Sequence, residues 1–470
     1  MIPLLAIGLG IPFLQGWLLV RLLLPITLRS RTGVGFTLSL AAGIGLGVSS
    51  LLYAGYRFLH PAGEVPGLLA LDSLLILALL ILQRKSGAFP TEDSTKPAEQ
   101  LERVDSFIKA LFALAIFVTA LDFIIQLLIS PDGKWDTFTI WNLHARFFAR
   151  GGTHWSDYIT PLIAWTHPDY PLLIPACVAR GWQFAGHETA ISPAMVSAVF
   201  TFGTAGILNG SIGALRSRRS GWLAGIVLLG ARAFCRHGAW MYADVPLSYY
   251  IVAALAIAAL KDDNGNNFTI WALAGLLCGF AAWTKNEGEL FLGVYTLVST
   301  FGLFSRSLSQ RQKLQRACGY AAGIVPSAFL LIYFKTHYHI PNDLIAGQQG
   351  NMLHRLFDPD RRALILQFYG KEIVGFSRRP AGLVPLLCVY TALTARITGQ
   401  RIQQALPALS VILLMLSGYF VIYLITPHDL RWHLQYSLNR LLLHLWPAFV
   451  FAVFLLVNEK SGSPVVASMK

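Results

Sequence analysis

One polar stretch, 130–175, gathers side chains that could carry acid–base chemistry within an otherwise apolar chain. Its acids and imidazoles are Asp132, Asp136, Asp157, Asp169, His144, His154 and His167. Its tryptophans are Trp135, Trp141, Trp155 and Trp165. Apolar segments long enough to cross a bilayer flank the stretch, and a desolvated carboxylate at a membrane interface is costly and usually functional. This stretch is therefore the first candidate site.

Asp136 is the acid of this stretch that we predict to be catalytic. It directly follows an apolar segment and stands five residues before Trp141. A carboxylate at this position could take a proton from a hydroxyl or amine, or orient that group, as a general base does. The alternative is that Asp136 only caps the helix that follows it, and the two roles are compatible.

Two other acids stand before prolines at predicted helix starts. Asp169 lies in the sequence HPDYP, which begins with His167, and Asp244 lies in YADVP. We predict Asp244 as a second catalytic acid, because the topology places it on the same membrane face as Asp136. We predict His167 and Asp169 as substrate-binding residues. Helix capping would also explain both acids, and His167 would then be a surface residue.

Cations predicted on the same face indicate an anionic partner. Lys285 and Glu287 lie in KNEGE between two short apolar segments, and the sequence HDLRWHLQYSLNR contains Arg431, His433 and Arg440. We predict these five as substrate-binding residues, with a phosphate group as the partner of the cations. The alternative for Lys285 is a self-neutralising turn. The alternative for the cations of HDLRWHLQYSLNR is snorkelling, in which the charged ends of the side chains extend into water at the interface.

The composition places these residues in an all-α, polytopic membrane protein. Of 470 residues, 55% are hydrophobic and 13% are charged, and the mean hydropathy is +0.55. Soluble proteins of this size contain roughly 25% charged residues. The apolar segments predict about thirteen transmembrane helices. The five cysteines are widely spaced in apolar segments, which indicates buried residues and not a disulfide or metal framework.

The distribution of basic residues sets the predicted orientation and the predicted division of the chain. Arginine and lysine concentrate in short loops, which explains much of the net charge of +13 without a nucleic-acid partner. Counting these loops places Asp136 outside the cytoplasm. Residues 1–106 are predicted as three membrane helices with a cytoplasmic linker, 107–304 as a catalytic core with the outer loop 130–175, and 305–470 as C-terminal helices with a partly helical outer loop, 335–380.

Two segments of the first outer loop are predicted as juxtamembrane helices. The helix at 136–150 has an apolar side with tryptophan at its edge, which predicts that it lies in the plane of the interface. The apolar segment 170–184 is short for a span and is predicted not to cross. In the second span, Gly43, Gly45 and Gly47 predict close packing of helices.

The order and spacing of these motifs resemble the GT-C class of integral membrane glycosyltransferases. The chain is most similar to the bacterial proteins grouped with the dolichyl-phosphate-mannose protein mannosyltransferases (family 39) and the aminoarabinose transferases. The resemblance rests on Trp135 and Asp136 with Trp141 after a span, and on the sequences HPDYP, YADVP and TKNEG. It covers roughly residues 107–304 well and the C-terminal spans more loosely.

The resemblance implies a transferase of the cell envelope. Its donor would be a sugar on a polyprenyl phosphate or diphosphate, and its acceptor a lipid, a glycan or a protein. The transfer would be inverting, with Asp136 as the catalytic acid of the first outer loop and Asp244 as the second. Lys285, Arg431 and Arg440 would stabilise the departing lipid phosphate. The site would face the periplasm of a bacterial inner membrane, and a divalent cation is a candidate cofactor.

Three other classes are weighed against this one. A secondary transporter would need ionisable residues at the midplane and paired broken helices. An enzyme of the O-antigen polymerase or ligase type would use lipid-linked sugars through outer arginines without a catalytic aspartate. A scaffold would not need an acid-rich outer face. The sequence contains no Walker, dinucleotide-binding or HExxH motif, which disfavours an ATP-driven pump.

Overall fold

The computed structural model describes residues 2–85, 103–260, 267–304, 308–340, 349–377, 382–394 and 398–457. Across these ranges the regular structure is helical and no strand occurs, which confirms the predicted all-α class. Most of the predicted linker 83–104 lies outside the described residues, as do Arg378 and Arg379 of the second outer loop. The five cysteines are described and all are free, and Cys318 and Cys388 are exposed.

The first four helices are long and apolar. They are α1 (Ile2–Leu23), α2 (Ile26–Leu59), α3 (Val65–Lys85) and α4 (Arg103–Ile129). Glycines let α2 approach its neighbours closely, as predicted. A Cβ atom on Gly45 would lie 1.9 Å from the carbonyl oxygen of Pro12 on α1, and one on Gly43 or Gly47 would meet an aromatic ring.

The loop after α4 contains short helical segments. They are a π-helical turn (Thr137–Trp141), α5 (Asn142–Arg150), 3-10 turns (Gly152–His154 and Pro161–Thr166) and α6 (Leu173–Ala185). The apolar side of residues 136–150, which we predicted to face the interface, packs in part against the protein, while Phe138 is 41% exposed. Trp141, Ala145 and Phe148 are buried within the protein, because Phe148 packs on Trp155 with ring centroids 4.5 Å apart and on Tyr53 of α2.

Helix α6 is anchored inside the protein by a buried ion pair that we did not predict. Its Arg180 donates to Asp72 of α3 at 2.7 Å, and Gln15 of α1 donates to the other oxygen of Asp72 at 2.8 Å. All three side chains are buried. At 13 residues, α6 measures about 20 Å against a hydrocarbon core of about 30 Å, in agreement with the prediction that it does not cross.

The next six helices form the centre of the protein. They are α7 (Ile191–Leu215), α8 (Arg218–Leu229), α9 (Arg232–Ala239), α10 (Asp244–Ala259), α11 (Asn267–Ala282) and α12 (Asn286–Leu303). Helices α9 and α10 meet at an angle of 119°. Nearly all of α10 is buried, and it packs against α7, α11 and the last helix of the chain.

The final six helices follow, and two of them occupy the predicted second outer loop. They are α13 (Gln310–His337), α14 (Gln349–Phe357), α15 (Pro359–Gly375), α16 (Leu383–Thr394), α17 (Gly399–Ile425) and α18 (Leu430–Leu456). Helix α15 is tied to the end of α17, because Arg361 donates to the carbonyl oxygens of Tyr423, Leu424 and Thr426. The described part of the loop is thus largely helical.

Length and hydropathy identify membrane-crossing helices among the described residues. Eight helices qualify, and nine if the bent pair α9–α10 counts as one span. The protein is therefore a multi-pass membrane protein. Helices α8, α11, α12 and α16 are not among the eight, so the predicted count of about thirteen stays a prediction.

Candidate functional site

Two carboxylates far apart in the sequence meet at one guanidinium. Arg440 of α18 donates from Nη2 to Asp136 Oδ2 at 2.6 Å and from Nε to Asp244 Oδ2 at 2.9 Å. Asp136 stands between α4 and the π-helical turn, and Asp244 is the first residue of α10. The two acids predicted as catalytic thus lie on either side of Arg440. We name Asp136, Asp244 and Arg440 the acid–arginine cluster.

Asp244 is the buried centre of this cluster. It is fully buried, and its Oδ1 lies 2.9 Å from Lys285 Nζ and 2.8 Å from His444 Nε2. A buried carboxylate needs such partners, because an unpaired charge inside a protein is strongly destabilising. The capping alternative is wrong for Asp244, since no side chain caps α10. It is also wrong for Asp136, whose carboxylate makes no capping hydrogen bond to the turn that follows.

Exposure distinguishes the two carboxylates. The Asp136 side chain is 12% exposed, whereas that of Asp244 is 0% exposed. The Arg440 side chain is 25% exposed and its guanidinium lies over the Tyr242 ring, 5.2 Å from the centroid. An incoming molecule can therefore reach Asp136 and Arg440 but not Asp244.

Lys285 and Glu287 lie behind Asp244. Lys285 is 2% exposed and its Nζ lies 3.2 Å from Glu287 Oε1. Burial on its own lowers the pKa of Lys285, but the carboxylates of Asp244 and Glu287 outweigh burial and hold this pKa above its ordinary value. The turn is partly self-neutralising, as the alternative interpretation had it. The Lys285 ammonium also donates a hydrogen bond to Asp244, and this ammonium is enclosed by protein groups.

Asp169 joins the same assembly, and His167 stands at its edge. Asn286 Nδ2 donates to Asp169 Oδ2 at 2.6 Å, so Asp169 does not cap α6, whose N-cap position is Leu172. His167 has a left-handed backbone, with φ of 53°, and its ring stacks on Tyr170 at 4.8 Å. Tyr170 of the HPDYP sequence thus contacts both His167 and Lys285.

Several residues of the assembly were not predicted from the sequence. The Tyr170 ring stacks on Trp141 with centroids 5.4 Å apart, and its centroid lies 5.6 Å from Lys285 Nζ. Burial raises the pKa of the Tyr170 hydroxyl well above its ordinary value. His444 follows Arg440 by four residues on α18, which places both on one helix face. That spacing was a usable signal. No sequence signal indicated that Lys335 of α13 donates to Asn286, at 3.0 Å.

Two predicted residues lie away from the cluster. Arg431 is exposed, and His433 bonds through Nδ1 to Thr426 Oγ1 at 3.0 Å. Arg431 precedes Arg440 by nine residues, which corresponds to about 13 Å along α18. Both residues therefore belong to the end of the helix and not to the acid–arginine cluster. Arg431 matches the alternative of a cation that reaches for water.

A cavity of about 300 Å³ opens beside the cluster. Its lining includes Arg232 and Arg236 of α9, Glu372 of α15 and Asn439, which precedes Arg440. It also includes His237, Trp240, Ala233, Gly375 and Ser377. His237 connects the cavity wall to the cluster. Its ring contacts the Tyr242 ring edge-on, with centroids 5.3 Å apart, and the Arg440 guanidinium lies over that Tyr242 ring. A polar, open cavity of this size matches the smaller small-molecule sites.

The bend between α9 and α10 presents Asp244 to the cluster. Met241 in this turn has a positive φ of 61°, which is rare for a residue other than glycine. The turn is held by Thr137 Oγ1, which donates to the carbonyl oxygen of Trp240. Because Thr137 follows Asp136, this hydrogen bond ties the two carboxylate-bearing segments together.

The donor groups do not match a metal site. Within the described ranges, no group of three or more histidine, cysteine, aspartate and glutamate residues is placed to hold an ion. The acids Asp136 and Asp244 face a guanidinium, which occupies the place that a bridging cation would take. No step is therefore derived through a divalent cation.

Comparison with known proteins adds no further identification. No protein-family model, no curated protein and no solved structure matches the chain.

Proposed function

We propose that the protein is a membrane glycosyltransferase that moves a sugar from a polyprenyl-phosphate-linked donor to an acceptor on the extracytoplasmic face. One observation carries the proposal. Asp136, a carboxylate whose side chain is 12% exposed, shares Arg440 with a fully buried carboxylate at a helix end, close to an open cavity lined by polar side chains. A base, an anion-stabilising cation and room for a substrate are what such a transfer requires.

In the proposed step the acceptor oxygen or nitrogen bonds to the anomeric carbon of the donor. The bond from that carbon to the phosphate oxygen breaks, and its electron pair stays on the departing lipid phosphate. The acceptor proton passes to Asp136. This single displacement inverts the anomeric centre. Arg440 stabilises the charge that develops on the phosphate, and its exposed fraction is compatible with that contact.

The remaining residues position this pair. Asp244 holds the Nε edge of Arg440, while Lys285 and His444 keep Asp244 ionised and fixed. Because Lys285 is enclosed, we assign it to this support and not to the phosphate. Asp169 acts through Asn286, which lies between Lys285 and Glu287 in the sequence. Residues of this kind set the geometry that a reacting group needs.

Transfer by membranes supplied with polyprenyl-phosphate-linked sugars tests the proposal. Asp136→Asn removes the base and is expected to slow transfer by at least about 100-fold, since general bases contribute about that much or more. Asp132→Asn is the matched control, because Asp132 is an exposed acid four residues earlier in the same loop. It is expected to retain the wild-type rate.

The contrary outcomes separate the alternatives. Equal transfer by wild type and Asp136→Asn would reject the base and favour an enzyme of the O-antigen polymerase or ligase type, which does not depend on an aspartate. No transfer by wild type from any lipid-linked sugar would reject the transferase and favour a transporter.

A further inference from the structure

A second cavity, of about 190 Å³, lies between helices in the half of the protein away from the acid–arginine cluster. Its lining is mostly apolar and comes from α10, α11, α12, α17 and α18, with Val298 and Gly302 of α12 and Val411 of α17 among its residues. The polar side chains among them are Tyr295 and Ser299 of α12, Arg316 of α13 and Gln404 of α17. A cavity with this lining accepts an apolar chain rather than a sugar.

The length of α13 fixes the separation of this cavity from the cluster. Lys335, near one end of the helix, contacts Asn286 beside the cluster, whereas Arg316 lines the cavity. Their separation of 19 positions corresponds to about 28 Å of helix, close to the thickness of a hydrocarbon core of about 30 Å. The cavity therefore opens in the membrane leaflet opposite to the cluster.

The polar atoms of the cavity indicate the charge of its ligand. The Arg316 guanidinium lies over the Trp271 ring, 5.5 Å from the centroid. Its Nε is buried and donates to no acceptor in the described part of the chain, and the Oε1 of Gln404 likewise accepts from no donor there. A cation at the rim of an apolar cavity suits an amphiphile whose headgroup carries negative charge.

We propose that this cavity binds one acyl chain of an anionic phospholipid from the leaflet opposite to the acid–arginine cluster, with the lipid phosphate at Arg316. The apolar wall holds the chain, and the Arg316 guanidinium donates to a phosphate oxygen. This site is separate from the proposed transferase site. It concerns binding alone, so it stands or falls independently of the transfer reaction.

Thermal unfolding of delipidated protein in detergent, with added phosphatidylglycerol or phosphatidylcholine, tests the proposal. For wild type, saturating phosphatidylglycerol is expected to raise the Tm above that in phosphatidylcholine by on the order of 3 °C. Arg316→Gln is expected to abolish this difference. Arg311→Gln, which changes an exposed arginine on the same helix, is expected to keep it.

The apolar part of the cavity is tested by a paired substitution on α12. A Cβ atom on Gly302 or on Gly293 would meet nothing within 4 Å, so a side chain can begin at either position without a clash. Gly302 lines the cavity, and Gly293 does not. Gly302→Leu is therefore expected to fill the cavity and abolish the lipid-dependent rise in Tm, whereas Gly293→Leu is expected to keep it.

Each readout is a difference between two lipids within one variant, so a lower baseline Tm does not disturb it. An equal effect of the two lipids on wild type would overturn the anionic headgroup and with it the proposal. A full response to phosphatidylglycerol in both Arg316→Gln and Gly302→Leu would show that the lipid binds elsewhere. Should Gly302→Leu fail to fold, the smaller Gly302→Ala and the arginine pair still decide the outcome.

Discussion

Arg440 serves two carboxylates that differ in what they can do. Asp244 is fully buried and receives donors from Arg440, Lys285 and His444, so it holds the arginine in place. Asp136 is partly exposed and is held by Arg440. A phosphate that draws the Arg440 guanidinium toward itself would break its hydrogen bond to Asp136, which could then accept a proton. The division of roles in the proposed reaction follows from this asymmetry.

The buried His144 predicts a pH dependence of stability that is independent of the proposed reaction. His144 is buried, and its ring stacks on Tyr158 at 4.2 Å. Burial, followed by the charge of His167, lowers the pKa of His144 from 6.5 to about 3. The folded state thus binds the proton less readily than the unfolded state. The contribution of the neutral ring to stability is complete above pH 6.5 and is lost as the pH falls toward 3.

Between pH 7.5 and pH 5.5 the expected loss is about 1.4 kcal/mol, because one proton then distinguishes the unfolded from the folded state. Thermal unfolding in detergent at the two pH values measures it. His144→Gln removes the titration and is expected to lose less Tm on acidification than wild type. His154→Gln, at an exposed position, is expected to behave as wild type. Equal pH dependence of all three proteins would contradict the assignment.

Single residues of the site could be predicted from the sequence, but their partners could not. Asp136, Asp244 and Arg440 were found because acids and arginines are rare in apolar surroundings at span ends. Their contact joins residues as far apart in the sequence as Asp136 and Arg440, which are separated by 304 positions. A single sequence gives no signal for a contact over that separation. The same holds for the pair of Asp72 and Arg180.

At the scale of elements, close packing and sharp bends bring the site together. The helix pairs α1–α2 and α2–α7 pack closely, and the 119° bend between α9 and α10 places Asp244 at the acid–arginine cluster. The glycines of α2 predicted the close packing. Asp244 was predicted at a helix start, but the angle of the bend before it arises from tertiary contacts such as that of Thr137 with Trp240.

The contact at Gly45 gives a stability prediction at this scale. Gly45→Ala would place a methyl group 1.9 Å from a backbone oxygen of α1, so the helices must separate. The expected loss is about 1–3 kcal/mol of unfolding free energy, as for overpacked cores. Thermal unfolding in detergent measures it as a lower Tm.

The matched control lies on the same helix. A Cβ atom on Gly55 would meet Leu330 at 3.8 Å, which is an ordinary contact. Gly55→Ala is therefore expected to be neutral or to stabilise by up to about 1 kcal/mol through helix propensity. A Tm for Gly45→Ala as high as that for Gly55→Ala would show that the two helices do not approach so closely.

At the scale of the whole molecule, unlike groups occupy opposite ends of the helices. The acid–arginine cluster lies in the N-terminal half of α18. At the C-terminal end, Arg216 and Arg401 donate to the carbonyl oxygens of Leu455 and Val457. The sequence predicted this polarity through its basic loops. Orientation in the membrane stays a prediction, in which the basic end faces the cytoplasm.

Cysteine labelling measures that orientation. In a background with Cys318 and Cys388 changed to alanine, Asp132→Cys and Arg311→Cys each add one exposed thiol. A membrane-impermeant maleimide applied to right-side-out vesicles is expected to label Asp132→Cys before lysis and Arg311→Cys only after lysis. Labelling of both thiols before lysis, or in the reverse order, would contradict the proposed topology.

The central claim is that Asp136 and Arg440 act as one catalytic unit, and transfer rates of the single and double variants test it most directly. Asp136→Asn and Arg440→Gln are each expected to slow transfer by at least about 100-fold. The double variant should then be no slower than the slower single variant, because residues that act as a unit are not additive. Arg431→Gln should retain the wild-type rate. Multiplicative losses in the double variant, or wild-type transfer by either single variant, would contradict the claim.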